Sequence, residues 1–248
     1  MKIGVIGTGR IGSTLARKLG SEGHEIRVAN SKGPEGVRPF ANEIGAEAVD
    51  VYGAVAGADV TILSIPLPAL AGLPKDLFRD VPADALVIDT SNYYPGLRDP
   101  RIPELDAGQV ESEWVSDRIG RRIVKAFNNI LAHSLAELGQ PEGSKDRLAI
   151  AVAGDDAQTK LIAMNLVDAC GFDPVDGGQL EDSWRQQPST PSYCCDYDAP
   201  TMLKGLAAAV RGKAPGIRDG LAERMAAQGA DTGHDALVAM NRASNPLD

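Results

Sequence analysis

Positive charge is in short supply: 25 Lys and Arg stand against 34 Asp and Glu, a formal net charge of −9 over 248 residues. Without a basic patch such a field repels nucleic acid and anionic lipid, which argues against DNA, RNA or membrane-surface binding. Cysteine is scarce as well. Cys170, Cys194 and Cys195 form neither a C-x-x-C pair nor a zinc spacing, and the odd count suits free thiols in a reducing compartment, with no metal site. No apolar run reaches the roughly 18 residues of a membrane span, and Met1-Lys2-Ile3-Gly4 runs straight into a strand pattern rather than a signal peptide. The expected location is the cytoplasm. There is no internal repeat, no low-complexity tract and no Tyr-x-x-x-Lys: Tyr52, Tyr93, Tyr94, Tyr193 and Tyr197 are followed four positions on by Ala56, Leu97, Arg98, Tyr197 and Thr201. That removes the acid-base arrangement of the short-chain carbonyl reductases.

What is present is a chain 43% hydrophobic, enough for one core or two modest ones. Short β-branched runs at residues 3–6, 25–29, 60–65, 86–89, 122–127, 148–153 and 172–175 alternate with helix-like stretches, which predicts a mostly parallel sheet covered by helices. Between the first two runs Ile11, Leu15, Ala16 and Leu19 recur at helical spacing while Arg17 and Lys18 fall on the other side, as a crossover helix requires. Asp155-Asp156 reads as an N-cap for a helix carrying Leu161, Ile162, Leu166 and Ala169, with Gly171 as its left-handed stop. Residues 91–108 and 179–200 read as irregular, and loops of that length are commonly functional or disordered. Two Ala-rich helices are expected at 201–211 and 217–228, separated by Pro215-Gly216, with the last dozen residues fraying.

Gly7-Thr8-Gly9-Arg10-Ile11-Gly12 fits G-x-G-x-x-G between a strand and an amphipathic helix. Gly7 permits the tight turn, Gly9 lets backbone approach a pyrophosphate, and Gly12 lets the helix pack on the strand. The helix N-terminus then offers free N–H groups to phosphate. NAD-preferring sites place an Asp or Glu at the end of the second strand. Here that position holds Asn30, Ser31 and Lys32, so a 2′-phosphate would meet amide, hydroxyl and ammonium donors, with Arg10 near. NADP is the predicted cofactor.

With these residues in view, the chain resembles the NADP-dependent oxidoreductases grouped with the NADPH:coenzyme F420 (deazaflavin) oxidoreductases, whose fold also forms the cytosolic domain of membrane ferric reductases. The resemblance rests on the loop 6–12, on Asn30-Ser31-Lys32, on Leu63-Ser64-Ile65-Pro66, on Val124-Lys125-Ala126-Phe127-Asn128, and on Val152-Ala153-Gly154-Asp155-Asp156 leading to the segment 171–176. It implies that Thr8 to Ile11 hold the pyrophosphate and Ser31-Lys32 the 2′-phosphate. It further implies that Ser64, Ile65 and Pro66 lie against adenosine and ribose, and that Ala126, Phe127 and Asn128 lie near the nicotinamide. The turn Thr90-Ser91-Asn92 ends another strand on the same side and is a candidate source of donors, Asn92 above all. The resemblance stops near Leu180.

Hydride transfer to a redox ring asks the protein chiefly to orient two partners. Among the histidines, His24 reads as structural, His234 lies in the tail, and His133 is a candidate proton donor, a position that equally suits a helix-packing histidine. Trp184 and Tyr193 are candidates to stack on a flat acceptor or simply to pack. Cys194-Cys195 is a candidate redox pair. The basic residues Lys204, Arg211, Lys213, Arg218 and Arg224 would steer an anionic acceptor or line a dimer contact.

The expected architecture is therefore α/β: a Rossmann-like doubly wound, mostly parallel sheet at 1–180 that binds NADP, with a small helical extension at 181–248 forming an acceptor pocket, a homodimer contact or both. The expected function is hydride transfer between NADP(H) and a small deazaflavin- or flavin-type acceptor. Reduction of a small C=N or C=O substrate, and NADPH sensing without turnover, remain the alternatives.

Overall fold

The structure is a computed structural model and describes residues 1–228 and 233–247. Its strands are β1 Lys2–Ile6, β2 Glu25–Ala29, β3 Glu47–Ala48, β4 Val60–Leu63, β5 Leu86–Asp89, β6 Val124–Lys125, β7 Ala149–Ala153 and β8 Asp173–Gly178. They form one sheet in the order β3-β2-β1-β4-β5-β6-β7-β8. Neighbours run parallel except β6 and β7, which meet antiparallel with Lys125 opposite Ala153. Helices cover both faces, and so β4, β5 and β7 are buried along their whole length. One core, with Val5, Leu15, Val28, Ile62 and Phe172, lies on one face. The other, with Ile6, Leu63, Leu67, Tyr93 and Trp114, lies on the opposite face.

The first crossover helix, Arg10–Ser21, buries Gly12, Leu15, Ala16 and Leu19, and Ile11 packs half-buried against the same core. The helix Ala157–Ala169 begins as expected, with Asp156 Oδ1 accepting the Thr159 N–H at 2.8 Å, and Gly171 takes φ +96° at its end. A helix at Gly33–Ile44 and the two-residue β3 are additions to the expected elements: Val37, Phe40, Ala41 and Ile44 keep the helical period and pack on the core, but Gly33, Pro34, Gly36 and Pro39 among them give the stretch the composition of a turn. The run 122–127 shortens to β6 because Phe127, at φ +59°, turns the backbone out of the sheet. The run 60–65 stops at Leu63.

The C-terminal expectations need correction. The helix expected at 201–211 is Ala199–Ala208, capped by Asp198 on the Thr201 N–H at 2.9 Å. The stretch 217–228 is two helices, Ala214–Asp219 and Leu221–Gln228, and Pro215-Gly216 start the first of them rather than separating a pair. The last dozen residues do not fray across the described part. His234–Ser244 is a helix that buries Val238 and Met240 and donates from Asn241 Nδ2 to the Cys194 carbonyl and from Arg242 to the Cys195 and Asp196 carbonyls at 2.8–2.9 Å. These partners lie 46–47 positions upstream. The stretch 179–200 is equally ordered: a 3-10 helix, Leu180–Gln186, leads into a segment where Thr190, Ser192, Tyr193, Cys194 and Cys195 are buried. The extension shares its cores with the sheet, since Met202 and Leu206 pack on Ala149, Ala151 and Val175.

Candidate functional site

The strand order reverses at β1, whose neighbours β2 and β4 leave in opposite directions. Ligands of open α/β sheets bind beyond the carboxyl ends of strands at such a point. There the structure has a cleft of about 710 Å³. Its floor is the turn after β1, Gly7-Thr8-Gly9; one wall is Asn30-Ser31-Lys32 after β2; the other is Ser64-Ile65-Pro66 after β4, continued by Leu73 and Pro74.

The three glycines of the loop have different physical reasons. At Gly7, φ is +104° and an added Cβ would lie 2.2 Å from the Ser64 carbonyl oxygen. At Gly12 the Cβ would lie 2.0 Å from the Gly7 oxygen. At Gly9 it would meet nothing within 4 Å, so it is the open cleft, not the protein, that an added side chain would fill. The helix Arg10–Ser21 that starts here has no side-chain cap and no acidic residue in its first turn, leaving its leading N–H groups for an anion. No carboxylate lines the cleft among the described residues. Asn30 ties the two sides together: its Nδ2 donates to Thr8 Oγ1 at 3.0 Å and its Oδ1 accepts the Lys32 N–H at 2.9 Å. Ser31 and Lys32 are exposed at the rim. This donor set fits a nucleotide bearing a pyrophosphate and a further phosphate on its ribose.

Other expected residues lie elsewhere. Arg10 is exposed, while Ile11 and Gly12 face the core side of the helix and not the cleft. Asn92, Ala126, Phe127 and Asn128 sit beyond β5 and β6 in a buried hydrogen-bonded frame. Asn92 Nδ2 donates to the Asn128 carbonyl at 2.9 Å, and Asn128 Nδ2 donates to Asn92 Oδ1 and to the Gln186 carbonyl at 3.1 and 2.7 Å. Gln186 Nε2 returns a bond to Asn128 Oδ1 at 2.8 Å. Behind this frame Lys125 Nζ is fully buried between Asp89 Oδ2 and the Ser91 carbonyl, both at 2.6 Å. Thr90 Oγ1 is engaged by the Leu63 carbonyl, which leaves the buried Ser91 Oγ as the hydroxyl of that turn with no partner among the described residues.

His133 is exposed on the helix Ala132–Glu137 and stacks on His234, ring centres 4.5 Å apart, outside the cleft. His234 Nε2 in turn lies 2.9 Å from Asp196 Oδ2, which also accepts from Ser134. His24 contacts the N-terminal amine at the opposite end of the sheet. Cys194 and Cys195 are buried free thiols; burial pushes Cys195 up to about 11 and Cys194 well above its ordinary value, so neither is a ready thiolate. Tyr193 is buried with its hydroxyl on that of Tyr94 and does not line the cleft.

One group escaped the sequence reading. Glu111, the first residue of the helix Glu111–Ile119, is 3% exposed and accepts the Tyr93 N–H on Oε2 at 3.1 Å. Burial pushes its carboxyl up to about 7, although Lys125, Arg218 and the Tyr93 N–H pull the other way. In sequence it looks like any acidic residue in a helix first turn. Its burial comes from strands and loops distant along the chain.

Residues 2–93 match the family described as NADP oxidoreductase, coenzyme F420-dependent. Over 208 residues the chain is 32% identical to the F420-dependent NADP reductase of Methanothermobacter thermautotrophicus, spanning 77% of this chain and 87% of that protein. It is 44% identical over 105 residues to protein YjhV of Escherichia coli K12, spanning 42% of this chain and 77% of that one. The crystal structure of protein SMa0349 from Sinorhizobium meliloti superimposes with a TM-score of 0.62 at 30% identity over 75% of this chain and 89% of that one. Fold, cleft and relatives together define a dinucleotide-dependent oxidoreductase. More particularly, the chain belongs to the coenzyme F420-dependent NADP oxidoreductase family, and its cofactor is NADP. No helix among the described residues is long and apolar enough to cross a membrane.

Proposed function

We propose that the protein transfers hydride between NADP(H) and a flat, deazaflavin- or flavin-type acceptor. The observation that carries the cofactor half of this reading is the carboxylate-free cleft at the strand-order reversal, with Lys32 at its rim and the uncapped helix at its floor. Thr8, Gly9 and the leading N–H groups of Arg10–Ser21 hold the pyrophosphate; Ser31 and Lys32 take the 2′-phosphate; Ser64 to Pro66 bracket the adenosine. NADPH supplies the hydride. The frame of Asn92, Asn128 and Gln186 keeps the turns after β5 and β6 in one conformation where the nicotinamide is expected, so that little reorganisation is needed on binding. The name of the Methanothermobacter relative supports the acceptor class. Exposed Leu203, Val210 and Met225 on the extension support a contact with a second copy of the chain, and the free thiols fit a reducing, cytoplasmic setting.

The test is loss of the nicotinamide absorbance on mixing the protein with NADPH and, in separate cuvettes, coenzyme F420, FMN, ferric citrate and a cyclic imine. Oxidation by F420 or FMN is the expected outcome. Oxidation by the imine alone would reassign the acceptor, and tight NADPH binding without oxidation by any of the four would indicate a sensor.

A further inference from the structure

A second cavity lies apart from the cofactor cleft and shares no lining residue with it. It holds about 70 Å³ in the seam between the sheet and the C-terminal extension, with Tyr93 and Glu111 on one side and Trp184, Gln187, Arg211 and Arg218 on the other. At roughly 30 Å³ per liquid water, it has room for about two, the space of a carboxyl head on a short carbon chain. Its outer wall, residues 210–212, is exposed, so the cavity has a mouth. Gln187 Nε2 is buried with no partner among the described residues, and an orphan donor of that kind calls for an acceptor atom beside it. Arg211 forms no ion pair among the described residues, and its guanidinium lies 5.9 Å from the Trp184 ring centre. The Arg218 guanidinium lies 4.9 Å from the ring centre of Tyr93 and is tied to Asp219 at 3.2 Å. Leu105, Val110, Val210 and Pro215 supply apolar wall between these polar groups.

We propose that this cavity is a binding site for a short-chain organic carboxylate, separate from the NADP cleft. Gln187 Nε2 and the Arg211 guanidinium supply N–H donors that nothing else among the described residues uses, and a guanidinium matches the planar oxygens of a carboxylate. The aromatic and aliphatic wall takes the carbon chain, which an inorganic anion would leave unfilled. Lys213, next along the chain from the wall residue Gly212, adds to the positive field at the mouth. Glu111 is the one acidic residue of the wall among the described residues. Burial pushes its carboxyl up to about 7 against the pull of Lys125, of Arg218 and of the Tyr93 N–H, with Asp89 adding to the rise. In its neutral form Glu111 donates its O–H to the incoming carboxylate; in its ionised form it repels that ligand. Above about 7, therefore, each carboxylate that binds brings one proton with it. The bound ligand bridges Gln187 and Arg211 of the extension to Glu111 on the sheet side, and so it stiffens the seam between them. None of this requires NADPH to be present.

Isothermal titration of the full chain with sodium propionate, without NADPH, reads this site directly. Saturable binding is expected, with propionamide, the neutral analogue of the same shape, weaker by about tenfold or more for want of a charge-assisted hydrogen bond. Inorganic phosphate should also bind more weakly than propionate. The propionate Kd should be level below about pH 6 and rise about tenfold per pH unit above about pH 8, where titration in two buffers of different ionisation enthalpy should show uptake of about one proton per ligand. Arg211→Ala, at an exposed position, should weaken propionate about tenfold or more while leaving the ligand-free Tm unchanged, and Gln187→Leu should weaken it as well. Glu111→Gln keeps the shape and removes the titrating proton, so the pH dependence and the proton uptake should both disappear. No saturable heat from propionate, equal binding of propionamide or phosphate, or an Arg211→Ala variant that binds propionate like the wild type would each overturn the site. Hydride transfer would stand in all of these cases, because it is read with NADPH in a separate assay.

Discussion

The two halves of the sheet treat their polar groups in opposite ways. Beyond β1, β2 and β4 they are left available: the helix Arg10–Ser21 is uncapped, the space over Gly9 is open, and Lys32 makes no ion pair among the described residues. Beyond β5 and β6 most are tied to one another, with Ser91 Oγ and Gln186 Oε1 left over among the described residues. Asn128 bonds to both Asn92 and Gln186, Lys125 is enclosed by Asp89 and Ser91, and the helix His234–Ser244 clasps the carbonyls of residues 194–196. Buried polar groups must be paired, so a region whose groups stay unpaired at a cleft is arranged to receive a charged ligand. A region whose groups pair internally is arranged to keep one shape.

That contrast can be broken at its strongest point first. Asp89→Asn leaves the Lys125 ammonium buried without a countercharge, and loss of one partner of a buried pair costs about 3–5 kcal/mol. Urea unfolding should show that loss, whereas Glu43→Gln, which removes the exposed partner of Arg17 on the other half, should change stability by less than about 1 kcal/mol. Similar losses would erase the distinction. Next in size, Gly9→Asp should leave Tm unchanged, since nothing lies within 4 Å of the new Cβ. It should weaken NADPH by at least about a hundredfold, because a carboxylate would then face the pyrophosphate, roughly 2.7 kcal/mol at 1.4 kcal/mol per decade. Calorimetry and fluorescence titration separate the two effects.

Smaller again is Lys32→Ala. A charge-assisted hydrogen bond contributes about 1.5–3 kcal/mol, so NADPH affinity should fall about tenfold or more while NADH affinity stays almost constant. Equal losses for both nucleotides would remove Lys32 from the 2′-phosphate. The most modest effect is a pH dependence. The folded-state value of Glu111, about 7, lies above its ordinary 4.5, so the folded chain holds this proton more tightly than the unfolded one. The associated stability is fully present below about 4.5 and is lost as pH rises through about 7. The Tm of the wild type relative to Glu111→Gln should therefore drop between pH 5 and 8; a difference independent of pH would mean that Glu111 titrates as an ordinary carboxylate.

The available half was legible in the sequence because each of its requirements is local. A left-handed turn needs Gly7, a crossover helix needs Leu15 and Leu19 at its period, and the end of the second strand, the proposed 2′-phosphate position, shows directly as Asn30, Ser31 and Lys32. The tied half was legible only in outline. Val124 to Asn128 stood out through the family resemblance, yet Asn128 works through Gln186, 58 positions on. The stretch 179–200 looked like a loose loop because no short-range pattern marks a segment whose backbone groups are satisfied by Asn129, Asn241 and Arg242.

Sequence alone thus determined the strand-turn-helix start, the α/β layering, the capped helix after Asp156 and the preference for a 2′-phosphate, since each follows from the conformational and hydrogen-bonding needs of adjacent residues. Only the tertiary structure decided which acidic residue is buried with its carboxyl pushed up to about 7, which thiols are buried, and that His133 faces His234. Desolvation and pairing depend on what packs around a side chain, and around Glu111, Cys194 and His133 that packing comes from segments tens of residues away.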